Sequence, residues 1–197
     1  MGEIASDTGL ETSRVSVLLK ELIALEIVDK IKPIDDPGSK RTYYRIKDHY
    51  IRSFFRFIYP DNTDVSIRDY ERVYNSITEC MNEYLGHVFE NVCSEYIEKE
   101  CYEVGTWWGT DPISRTKEEI DIAALGNGYI TLCECKYRSE PVNGDVINTL
   151  VRRSKLVKNN LPRKLKIFSK LGYTDGATIK AKSENIELYT LDDVAHN

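Results

Sequence analysis

The sequence predicts a small helix-and-hairpin module followed by a larger α/β domain, and three patterns point there. An amphipathic stretch (Val15, Leu18, Leu19, Leu22, Ile23, Leu25) precedes two strand-like runs set around an Asp-Pro-Gly turn. Beyond residue 79, segments of helical period alternate with short apolar strands. Gly126-Asn-Gly128 separates two of those strands with the spacing of a tight antiparallel hairpin. Strands and helices in the order αβββαβ require a central mixed sheet flanked by helices.

A chain of 197 residues holds one large domain or two small ones. With 41% hydrophobic and 30% charged residues it reads as globular rather than disordered. No apolar run approaches the roughly 20 residues that span a bilayer, and no signal-peptide core follows Met1, so a cytoplasmic protein without a membrane partner is expected. Five cysteines (Cys80, Cys93, Cys101, Cys133, Cys135) form no CxxC pair and accompany only three histidines. They are expected as buried thiols rather than as disulfides or a structural zinc site.

The net charge of −5 argues against a protein that coats nucleic acid by bulk electrostatics. Its distribution is uneven. Residues 60–137 hold six Lys/Arg against sixteen Asp/Glu, whereas residues 138–170 hold nine against two. A metal-dependent nuclease needs this juxtaposition, with carboxylates for the cation and basic groups for phosphates; solvated helix faces produce it as well.

Along the chain, Ile4, Ala5 and Leu10 suit a short helix ending near Gly9, and Thr12 or Ser13 is available to cap the next helix. That second helix takes the place of a recognition helix. Strands over 27–34 and 41–46 flank Asp35-Asp-Pro-Gly-Ser-Lys40 and read as a wing tipped by Lys40 and Arg41. The module is therefore a partial winged helix-turn-helix that serves either DNA or protein contact. Such modules usually carry one more helix in front, so the chain is expected to begin inside a domain. Residues 48–60 form a dense aromatic helix in which Phe54, Phe55, Phe57 and Ile58 are expected to pack the two domains together; a base-stacking platform is the alternative. The expected division is 1–59 for the module and its aromatic helix, 60–78 for a connector with one helix over 67–77, and 79–197 for the α/β domain.

Within that domain, polar groups interrupt strands that should be buried. Asp121 lies in Glu119-Ile-Asp-Ile-Ala-Ala-Leu125, and Glu134 and Lys136 end Ile130-Thr-Leu-Cys-Glu-Cys-Lys136. Residues i and i+2 of a strand share a face, so Glu134 and Lys136 project together. The hairpin places Asp121 across from Glu134, each about five residues from the turn. Two close carboxylates repel unless a cation sits between them, and Mg²⁺ (or Mn²⁺) suits one or two carboxylates completed by water. Lys136 would orient the attacking water or the scissile phosphate and offset charge in the transition state. The alternative is a buried salt bridge.

This pattern resembles the PD-(D/E)XK nuclease superfamily of restriction-endonuclease-like folds, Asp121 matching the motif's aspartate and Glu134-Cys-Lys136 its E-x-K. The resemblance implies a further glutamate on the preceding helix, where Leu85-Gly-His-Val-Phe-Glu90 offers Glu90 as a metal and catalytic residue. The helix-turn-helix and wing, Asp48 to Pro60, Phe89-Glu90, Gly105-Thr-Trp-Trp-Gly109 and Glu119-Ile-Asp121 together look like the C-terminal region of archaeal AAA-type ATPases, a winged helix joined to a nuclease-like domain. No Walker A motif occurs, so the resemblance implies a piece of a larger ATPase rather than an ATPase in itself. Trp107 and Trp108 are expected to pack, or one to line the site. Arg152, Arg153, Lys155 and Lys158, on the helix after the E-x-K strand, would hold the phosphate backbone or solvate a helix face.

Three functions follow as expectations: a Mg²⁺-dependent DNA nuclease, a non-catalytic DNA-binding or regulatory module attached to an ATPase, and a regulator led by the winged helix. DNA or RNA, the form of the substrate, and the oligomeric state stay open at this level.

Overall fold

A computed structural model describes residues 1–34, 42–60 and 70–195. The chain divides into two compact units, one of Met1–Ile31 with Arg41–Ile77, the other of Lys32–Lys40 with Thr78–Asn197.

In the first unit, helix α1 (Gly2–Thr8) stops at Gly9, whose φ of 68° takes the left-handed C-cap conformation. Helix α2 (Thr12–Ala24) is capped by Glu11, with no side-chain cap bond, so neither Thr12 nor Ser13 plays the expected capping part. Val15 and Leu19 of α2 are buried with Val28 in one cluster joined by Ile4, Ala5, Leu22, Ile23, Ile27 and Tyr44. Strands β1 (Val28–Ile31) and β2 (Tyr43–Ile46) pair antiparallel, Val28 opposite Ile46 and Ile31 opposite Tyr43. β1 is shorter than the expected run to Ile34. Pro33 has no amide hydrogen to continue the ladder, and Ile34, already part of the second unit, donates its N–H to the Thr106 carbonyl within that unit. The wing tip expected at Lys40 and Arg41 lies outside the described residues.

Asp48 caps helix α3 (His49–Ser53) by accepting the Ile51 amide at 2.7 Å, and the helix continues as a π-helical turn, Phe54–Ile58. Phe57 is buried, whereas Phe54 and Phe55 are exposed and meet edge to face with centroids 5.4 Å apart. The stripe is thus core at Phe57, half-buried at Ile58 and surface at Phe54 and Phe55. Of the connector, 61–69 lie outside the described residues; from Tyr70 the chain is one helix, α4 (Tyr70–Glu98), in place of two expected helices.

The second unit is built on a five-stranded sheet in the order β3-β4-β5-β6-β7. Its strands are β3 (Glu103–Thr110), β4 (Lys117–Gly126), β5 (Tyr129–Lys136), β6 (Arg163–Ser169) and β7 (Ile186–Thr190). β3, β4 and β5 pair antiparallel; β5, β6 and β7 pair parallel, joined by α5 (Gly144–Ser154) and α6 (Asp175–Ser183), with α7 (Leu191–Ala195) last. This is a mixed α/β architecture. β5 is central, and Ile130 through Cys135 are all buried, the near-continuous burial of a strand covered on both faces.

One face of the sheet packs Ile120, Ala123, Ile130, Leu132 and Ile167 against Val146, Ile147 and Leu150 of α5 and Ala177 and Ala181 of α6. The other packs Ile122, Ala124, Cys133, Cys135 and Phe168 against Phe89, Cys93 and Ile97 of α4 and Val194 of α7. Phe89, Cys93 and Ile97 recur every four residues, so one stripe of α4 supplies this cover. Lys166 is 2% exposed, and its ammonium donates to Glu100 Oε2 at 2.8 Å and to the Tyr189 hydroxyl at 3.3 Å.

The β4–β5 hairpin turns at Asn127-Gly128, where Gly128 has φ 84° and Gly126 faces Tyr129. A Cβ on Gly126 would clash with Cζ, Cε2 and the hydroxyl of Tyr129, whose ring is held by a hydrogen bond to the Glu100 carbonyl and by Lys164 3.7 Å from its centroid. Gly126→Ala is expected to cost about 1–3 kcal/mol through overpacking, read as a lower urea midpoint with unchanged slope.

Candidate functional site

The strand that carries Asp121 is not regular. Gly105 of β3 pairs with Ala123 of β4, but Trp107 pairs with Ile120, so two residues of β3 span three of β4. β4 therefore bulges at Asp121–Ile122, and the Thr106 hydroxyl donates to the Ile120 carbonyl at 2.9 Å beside it. The bulge resets the alternation of side chains. Ile120 packs on the α5 face with Ala123, while Ile122 and Ala124 pack on the α4 face. β4 also parts from β5 beyond the Ile122–Cys133 pair, and Asp121 sits at that fork.

Asp121, Glu134 and Lys136 come together there. The Cys135 amide donates to Asp121 Oδ2 at 2.7 Å, and Lys136 Nζ donates to Glu134 Oε1 at 2.6 Å and lies 3.9 Å from Asp121 Oδ2. The side chains of Asp121 and Glu134 are 15% and 4% exposed. Burial, followed by the charge of Glu134, pushes the Asp121 carboxyl up to about 7, against the opposing pull of Lys136 and the Cys135 amide. Glu90 stands on α4 with Oε2 3.3 Å from His87 Nδ1, and its charge also raises Asp121. Glu119 is raised by loss of water around it and then by Glu90 and Glu134. Four carboxylates thus feel one another at one end of the sheet.

The basic side of the site comes from α5. Asn143 caps its start by accepting the Asp145 amide at 3.1 Å, and its last turn presents Arg152 and Arg153. Arg153 Nε donates to Glu118 Oε2 at 2.8 Å, and its Nη1 reaches both oxygens of Glu134 at 3.2 Å. Arg152 donates to Glu118 Oε1 at 2.7 Å and to Asp111 Oδ2 at 3.0 Å. Burial raises Glu118, but hydrogen bonds from Arg153 and Arg152 outweigh it and hold the group below its usual range. The Ile113 amide, ahead of Arg152, does the same for Asp111. The two arginines tie α5 to the acidic strand, Arg152 from an exposed position and Arg153 from a half-buried one. Lys155 and Lys158 remain exposed, and Trp107 and Trp108 are buried.

A period-2 reading of β4 has no bulge in it and gives no part to Glu118 or Glu119, and Asp111, in the loop after β3, meets its partner Arg152 only across 41 residues. The adjacent acids Glu118-Glu119 just before Asp121 were the available signal.

Among the described residues no three His, Cys, Asp or Glu side chains form a metal cage on their own. The fit for Mg²⁺ rests on two oxygen donors, Asp121 and Glu134. Burial first, and then the charge of Glu134, raise Asp121; a hard cation would offset both, and Mg²⁺ needs only one or two carboxylates beside its waters. Glu90 reaches this pair by charge.

The fold and site define a mixed α/β domain with an acidic cluster countered by one lysine and two arginines at a strand fork. The chain belongs to the DUF234 family, archaeal and bacterial proteins of unknown function, whose pattern matches residues 54–169. It is similar to the uncharacterized protein MJECL04 of Methanocaldococcus jannaschii, 31% identical over 173 residues, which cover 80% of this chain and 37% of that protein. The chain thus spans well under half the length of that relative. Among solved structures it is similar to the protein of unknown function AF1548 (19% identity, TM-score 0.40, 57% of this chain and 64% of that one). It is also similar to protein VC1899 from Vibrio cholerae (13% identity, TM-score 0.47, 92% of this chain and 40% of that one). No helix among the described residues is long and apolar enough to cross a membrane.

Two substitutions separate repulsion from support at this site. In chelator-treated protein at pH 8, Asp121→Asn keeps an oxygen for the Cys135 amide and removes a repelled charge, so the melting temperature should rise, by about 1–3 kcal/mol of added stability. Lys136→Met removes a cation from between the acids and should lower stability by about 2–4 kcal/mol. Equal melting temperatures for all three proteins would show that the charges do not interact in the folded state.

Proposed function

We propose that the second unit is a metal-dependent nuclease domain of the PD-(D/E)XK type that hydrolyses phosphodiesters in DNA. We further propose that the whole chain is the C-terminal part of a larger cytoplasmic ATPase. The observation that carries this reading is the meeting of Asp121, Glu134 and Lys136 at the fork of β4 and β5, a half-buried and a buried carboxylate and an ammonium on one sheet. Asp121 and Glu134 would hold Mg²⁺ or Mn²⁺, with Glu90 adding negative charge from α4. When bound, such an ion supplies Lewis acidity and a water of lowered pKa. Lys136, held 2.6 Å from Glu134, is placed to orient water or phosphate and to offset charge on the phosphoryl oxygens. The N-terminal helices and hairpin would serve as a winged-helix dock for the duplex. The greater length of the Methanocaldococcus relative leaves room for an AAA-type ATPase portion.

A second reading is favoured by one detail: both oxygens of Glu134 are already engaged by Lys136 and Arg153. A carboxylate satisfied in this way suits a non-catalytic DNA-binding or regulatory module attached to an ATPase.

Cleavage of labelled linear, single-stranded and branched DNA with Mg²⁺ or Mn²⁺ decides between them. The nuclease reading expects cleavage by the parent and a loss of at least about 10²-fold in both Asp121→Ala and Lys136→Ala. DNA binding without cleavage, and without any metal affinity, would establish the attached module instead.

A further inference from the structure

The guanidinium of Arg153 is divided unequally between two carboxylates. Toward Glu118 it makes a directed, charge-assisted bond of 2.8 Å from Nε. Toward Glu134 a single nitrogen is split between both oxygens at 3.2 Å, a longer and weaker arrangement. Glu118 is itself held in place, accepting from Arg152 at 2.7 Å and from the Thr116 hydroxyl at 3.2 Å. The firm attachment of Arg153 is thus to Glu118, and its hold on Glu134 is the one that can be released.

We propose that Arg153 is a resident counter-cation for Glu134, seated against the carboxylate that a divalent ion would take and displaced from it when that ion binds. The inference rests on the metal-dependent reading of the site and adds a control to it. A guanidinium keeps its charge at any working pH, so it yields its place by moving rather than by losing a proton. The Glu118 tether keeps it beside the site after release. Carboxylates outnumber cations here, since Asp121 and Glu119 each feel the charge of both Glu134 and Glu90, so exchanging one positive charge for two is electrostatically downhill. Arg153 and the metal then compete for Glu134, and each weakens the other's hold by the same factor. Arg153 is a positioning residue in this scheme, acting through Glu134.

The test is calorimetric titration of Mn²⁺ into the full chain without nucleic acid, for the wild type, Asp121→Asn, Arg153→Gln and Arg153→Gln/Asp121→Asn, with thermal melts in parallel. Arg153→Gln should bind Mn²⁺ on the order of tenfold more tightly than wild type. Its metal-free melting temperature should fall and be restored by Mn²⁺, and the added Asp121→Asn should abolish binding. Wild-type or weaker affinity in folded Arg153→Gln, with binding still dependent on Asp121, would overturn the proposal and leave the metal site standing. No Asp121-dependent binding in either protein would overturn the metal-dependent reading itself, and this proposal with it. Should Arg153→Gln fail to fold without metal, Arg153→Met replaces it, since a methionine removes the charge while keeping an unbranched stem of similar volume to pack. Tighter Mn²⁺ binding is again expected, and wild-type affinity again overturns the proposal.

Discussion

Asp121 and Glu134 lie on adjacent strands with Ile120, Ile122, Cys133 and Cys135 buried around them, and the groups at that end of the sheet answer two carboxylates that have lost most of their water and then feel each other's charge. In water such a pair would separate. Held by strands, it is answered by fixed groups instead: the Cys135 amide on Asp121, and Lys136 and Arg153 on Glu134. Burial without those partners would cost several kcal/mol per charge. The polar cluster is affordable because the strands and α5 aim donors at it before any ligand arrives.

A short length of β5 supplies most of this. Glu134 and Lys136 point to the α5 face, while Cys133 and Cys135 point to the α4 face and pack there beside Phe89 and Cys93. Burial pushes both thiols well up, so they act as small apolar side chains rather than as reactive groups. The same Cys135 that fills the lower core lends its amide to Asp121 on the neighbouring strand. Core and site are therefore a single piece of backbone, and the compact thiols let α4 lie close beneath the charges.

Much of this was legible in the sequence for local reasons. The hairpin at Gly126–Gly128 and the i, i+2 relation of Glu134 and Lys136 depend on turn chemistry and strand pleat, and both can be read residue by residue. The approach of Asp121 to Glu134 followed from hairpin register. What escaped notice depends on contacts distant in sequence. Glu118 meets Arg152 and Arg153 across more than thirty residues, and no periodicity announces such a pairing. The merging of two expected helices into Tyr70–Glu98, and the early end of β1 before Pro33, show how far element boundaries answer to neighbours rather than to propensity.

The bulge in β4 divides that strand into two stretches of opposite phase. On one side of it the even-numbered Glu118 and Ile120 look toward α5; on the other, the odd-numbered Ala123 does. A strand with this construction cannot be lengthened or shortened by one residue between Glu118 and Ala123 without exchanging its two faces at one end. Asp121 or Glu118 would then be sent to the wrong side while the hairpin itself stayed intact. Chains sharing this architecture should therefore keep the Glu118–Ala123 spacing constant and accept length changes in the loops, and a break in that spacing would mark a relative in which the acidic cluster has come apart.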